Sequence, residues 1–135
     1  MTTKLINPIL AVGLLMAATS AFSAISPDDG MKFEPYAISA GLMDEMGRTC
    51  FSTDKKQLST ILNASLKLNK TLVHFGMPPA EYRADYLKGQ SSIKETVKVK
   101  SMSELCTPKV RKALLSWDNA ITGAVEKLNN EDAQN

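Results

Sequence analysis

The sequence predicts a small all-α protein, a single domain of four or five helices tied by one disulfide. Three observations lead there. Apolar residues recur at three- and four-residue steps through two long stretches, around 58–73 and 110–128. Helix start and stop signals (Thr53-Asp54, Gly76 with Pro78-Pro79, and Thr107-Pro108) bracket those stretches. The 135 residues, 44% hydrophobic and 22% charged, can bury one core. They are too few for two ordinary domains and too apolar to be disordered throughout.

The first segment is expected to be lost before folding. Residues 1–23 read as a secretory signal peptide, with Lys4 in a polar start, the apolar run ILAVGLLMAA from Ile9 to Ala18, and small residues after it. That run is far short of the ~20 residues that span a bilayer, but it suits a signal core. The cleavage boundary falls within 21–24. Ala21 with Ser23, or Thr19 with Ala21, supplies small residues at −3 and −1, whereas cutting after Ala24 sets Phe22 at −3. About 112 residues then remain, and no later segment reaches membrane-spanning length. A lean leader with one lysine is bacterial in character, so the periplasm is the expected compartment, with release to the medium as the alternative.

Cys50 and Cys106, the only cysteines, meet in an oxidising compartment under this reading. An even count there implies a disulfide. The alternatives are a redox-active pair, a metal site or an intermolecular bridge. No C-x-x-C motif favours the first, and one histidine cannot complete the second. An intramolecular bridge closes a loop of about 57 residues, worth about 4 kcal/mol in the chain-entropy account.

Residues 24–34, with Pro27 and Asp28-Asp29-Gly30, read as an extended leader, and residues 35–128 as the helical domain. Pro35 suits a first helical turn. Tyr36, Ile38, Leu42, Met43, Met46 and Cys50 continue the first helix, with Gly41 as a weak point. Asp54 caps a second helix over about 54–75, whose face is Leu58, Ile61, Leu62, Ser65, Leu68, Leu72 and Val73. A short third helix starts at Pro79 and ends at Gly89. Residues 90–105 divide between two readings. Ser92-Ile93-Lys94-Glu95 matches a capping box, but Thr96–Lys100 alternates like a strand, and helix or irregular structure is preferred because a lone strand lacks a partner. Thr107 caps the last helix, whose stripe runs from Val110 through Trp117 to Leu128. Residues 129–135 are expected to be a disordered tail.

Charge and chemistry narrow the function classes. The formal net charge of +2 is too small for a dedicated nucleic-acid binder. From Asp28 to Glu45 the balance is −4, and from Glu81 to Lys112 it is +4. The two segments are expected to face one another, the alternative being a steering surface for an acidic partner or an anionic envelope surface. The candidate partner-binding residues are Lys94, Lys98, Lys100, Lys109, Arg111 and Lys112, together with Met43 and Met46, whose other reading is core filling. His74 is the single potential near-neutral base, but no nucleophile lies near it in sequence. Asp44-Glu45 and Glu81 with Asp85 are the closest carboxylate groupings. No catalytic, metal or cofactor site is expected. The expected role is binding another protein, as an inhibitor, an immunity protein or an envelope assembly accessory factor. The alternatives are an acid-type periplasmic stress chaperone and, less favoured, a small hydrolase.

Overall fold

A helix that is apolar or small around most of its circumference has to lie inside its domain, and the segment after Phe33 is of that kind. In the computed structural model, which describes residues 33–134, it forms α1 (Glu34–Cys50), with Pro35 in its first turn. Ala37, Ala40, Gly41, Leu42, Met43, Asp44, Met46, Gly47 and Cys50 are all buried. There follow α2 (Lys55–His74), α3 (Pro79–Val97), a single turn α4 (Met102–Leu105), α5 (Pro108–Leu115) and α6 (Trp117–Gln134). Among the described residues the fold is all-α, without a strand, and the Cys50–Cys106 disulfide is formed. The expected signal peptide and leader residues 24–32 lie outside the described residues.

The closest packing is between α1 and α3, and glycine makes it possible. A Cβ on Gly41 would lie 1.9 Å from the Tyr86 carbonyl oxygen, and one on Gly89 would lie 2.0 Å from that of Ile38. Gly89 was expected to end the third helix. Instead α3 runs eight residues further, to Val97, because this glycine is used for close backbone approach rather than for termination. Gly76 is the opposite case. At φ +111° it ends α2 in a Schellman turn, with Met77 N–H donating to Leu72 O and Gly76 N–H to Val73 O, both at 3.0 Å.

Three other expectations change. Ser92 is interior to α3, its hydroxyl donating to Lys88 O, and the working capping box is Ser101 with Glu104 at the start of α4. The expected last helix divides at Ser116, whose hydroxyl donates back to Lys112 O at 2.9 Å, a bond that bends helices. Its C-terminal part extends through Gln134, where a disordered tail was expected. That stretch is polar but contains neither proline nor glycine, so nothing interrupts propagation.

Met43 and Met46 are fully buried, which removes them from any binding surface. They fill the core with Ile61, Leu68, Leu72, Ile93, Leu114 and Trp117. The disulfide ties the end of α1 to the residue directly after α4, with the two Cα atoms 5.4 Å apart.

Candidate functional site

Both α2 and α3 pack on α1 but touch each other little, which leaves a cleft between them with α1 as its floor. Its volume is about 510 Å³, within the ordinary range for ligand sites. Asp44 and Arg48 line the floor, Leu62, Ser65, Leu66 and Asn69 one wall, and Pro79, Tyr82, Arg83 and Tyr86 the other. The rings of Tyr82 and Tyr86 stack with centroids 6.1 Å apart. Leu66 is half exposed at the rim.

The floor is a polar network. Asp44 is only 3% exposed. The Ser65 hydroxyl donates to its Oδ1 at 2.6 Å, and the Tyr86 hydroxyl to its Oδ2 at 2.5 Å. Ser65 Oγ in turn accepts from Trp117 Nε1 at 2.9 Å, and the Tyr82 hydroxyl donates to Ser65 O at 3.3 Å. Arg48, beside this network, meets Glu45 at 3.5 Å. Thus α1, α2, α3 and α6 are pinned at one point, and no buried side-chain polar atom among the described residues lacks a partner. Such a network fixes the positions of Tyr86 and Ser65 in the cleft.

Burial pushes the Asp44 carboxyl up to about 6, although the bonds from Ser65 and Tyr86 and the Arg48 charge act the other way. Burial, followed by the bond to Asp44, pushes the Tyr86 phenol up to about 12. The folded protein holds the Asp44 proton more tightly than the unfolded chain, so the folded state gains stability as pH falls from about 6 to 3.8. Moving the carboxyl from 3.8 to about 6 corresponds to about 3 kcal/mol. Relative to Asp44→Asn, the wild type is therefore expected to gain up to about 3 kcal/mol between pH 7 and pH 4, measured by urea unfolding at each pH. A difference that stays flat or moves the other way refutes a buried, proton-retaining Asp44.

The sequence-predicted candidates scatter. Arg111 turns inward. Its Nε donates to Cys106 O at 3.2 Å, a guanidinium nitrogen donates to Cys50 O at 2.5 Å, and the group lies 5.3 Å from the centre of the Phe51 ring. It braces the disulfide and is not a free partner contact. Lys98 pairs with Glu95 and Lys100 with Glu104, whereas Lys94, Lys109 and Lys112 are exposed. The ion pairs among the described residues join positions three or four apart. The acidic and basic segments do meet, as α1 on α3, but through glycines rather than through opposed charges. His74 is exposed at the end of α2, edge-on to Phe75 at 5.0 Å. Glu81 is exposed, and Asp85 is buried beside Lys88 at 3.5 Å.

Few of the residues that build the cleft carry a signal in the sequence. There Asp44 is only one of an adjacent carboxylate pair, and Ser65 only a step in an apolar stripe. A serine at the centre of such a stripe was the available signal, since a buried hydroxyl needs partners. No protein-family model, curated protein or solved structure matches this chain.

Proposed function

We propose that the protein is exported to the bacterial periplasm and works there by binding another protein, as an inhibitor, immunity protein or envelope assembly accessory factor. The observation that carries this reading is the α2–α3 cleft, where stacked tyrosines and exposed Leu66 lie above a rigid, hydrogen-bonded floor. Rigid apolar walls with a few fixed polar groups favour recognition, because little order remains to be imposed on binding. The disulfide suits an oxidising compartment. Among the described residues, no helix is long and apolar enough to cross a membrane.

An acid-activated chaperone has to loosen as pH falls, whereas Asp44 works in the opposite direction, favouring the fold as it protonates. The hydrolase alternative has little support from geometry, because His74 lies outside the cleft and the Asp85 carboxylate is engaged with Lys88. Affinity capture from envelope extract with the oxidised, leader-processed protein tests the binding role. One partner recovered in stoichiometric amount is expected, and recovery of none refutes it.

A further inference from the structure

We infer that the α2–α3 cleft takes an acidic segment of the partner, a Glu or Asp carboxylate next to a Leu or Phe side chain. The carboxylate meets Arg83 and Arg48, and the apolar side chain lies against Leu66, Tyr82 and Tyr86. This rests on the binding role proposed above and gives it a recognition chemistry.

Charge is the first support. The cleft is lined by two arginines and one carboxyl, and both oxygens of that carboxyl are already engaged by Ser65 and Tyr86. Arg48 is shared with Glu45. Arg83 is exposed and forms no ion pair with a described residue, so it is the better anchor for an incoming anion. A guanidinium presents a planar fork that matches a carboxylate.

Shape is the second support. The lining rows Leu62–Asn69 and Pro79–Tyr86 each extend about 10 Å along their helices. That length and the volume of about 510 Å³ accept one or two side chains, not a long partner helix. The carbon-lined part of the cleft lies between Leu62, Leu66, Pro79 and the two tyrosines, which selects an apolar neighbour for the carboxylate. Tyrosine faces are suited to such a contact, being large and rigid.

The test is an NMR titration of the oxidised, leader-processed protein with acetyl-Leu-Glu-Phe-amide and with its Gln counterpart. The Glu peptide is expected to shift resonances of Leu66, Tyr82 and Tyr86 and to bind about fivefold more tightly than the Gln peptide, the size of one partly exposed ion pair. Arg83→Gln is expected to erase that difference while leaving the melting temperature unchanged. Equal binding of both peptides, binding of neither, or shifts confined to another face overturns the inference. Capture of a partner that Arg83→Gln does not weaken also overturns it, and leaves the binding role standing. Failure to capture any partner, with the Glu peptide bound as expected, overturns the role and leaves the chemistry of the cleft intact.

Discussion

Gly41→Ala or Gly89→Ala is expected to destabilise the domain by about 3 kcal/mol, the upper range for forcing atoms into a packed interior. For a domain of this size that lowers the melting temperature by more than about 10 °C. In an unconstrained helix the same change gains about 1 kcal/mol, because alanine is the better helix former. Here a Cβ at either position would fall about 2 Å from a backbone carbonyl oxygen of the facing helix, Tyr86 O or Ile38 O. A carbonyl within a helix cannot move aside as a side-chain tip can, so α1 and α3 must separate along their whole contact. Gly123 in α6 is the internal control, since a Cβ there meets nothing within 4 Å. Gly123→Ala should raise the melting temperature. Thermal melts of the three variants check both signs, and a neutral Gly41→Ala would refute the close crossing.

The second large effect belongs to the disulfide. Replacing Cys50 and Cys106 together with alanine is expected to cost about 4 kcal/mol, from the entropy the unfolded chain regains when a loop of this length opens. The residues are 56 apart in sequence. On a total stability of about 5–15 kcal/mol that is a large share, and the melting temperature should fall by about 15–30 °C. The loss also reaches Arg111, whose guanidinium is bonded to the Cys50 carbonyl on one side of the bridge and the Cys106 carbonyl on the other. Reductant should reproduce most of the fall in the wild type and none of it in the double variant. A shift of only a few degrees would make the bridge incidental to the fold.

Much of this architecture was legible in local chemistry. Asp54, Gly76 with two prolines, and Thr107-Pro108 each mark a helix boundary by a mechanism that acts within a few residues, and each lies where it was expected. The disulfide followed from counting cysteines. What was not legible depends on residues distant in sequence. Gly89 signals either a stop or a close approach, and only Gly41, on a helix 48 positions earlier, decides between them. Arg111 looked like surface charge because its acceptors are backbone carbonyls, which no side-chain pattern reveals. Asp44 and Ser65 are 21 residues apart and their bond forms only once α1 and α2 are packed, so the cleft they floor has no contiguous motif. Met43 and Met46 could have been surface or core from their spacing alone, and the burial of α1 on nearly all sides decides for core.

The cleft over Asp44 is proposed as the working surface of an exported binding protein. Its most direct test repeats the envelope capture with Leu66→Asp and Leu115→Asp, which alter two exposed leucines, one at the rim of the cleft and one on α5 away from it. Both variants should melt like the wild type. Leu66→Asp is expected to lose the stoichiometric partner and Leu115→Asp to keep it. A partner retained by Leu66→Asp and lost by Leu115→Asp would contradict that role.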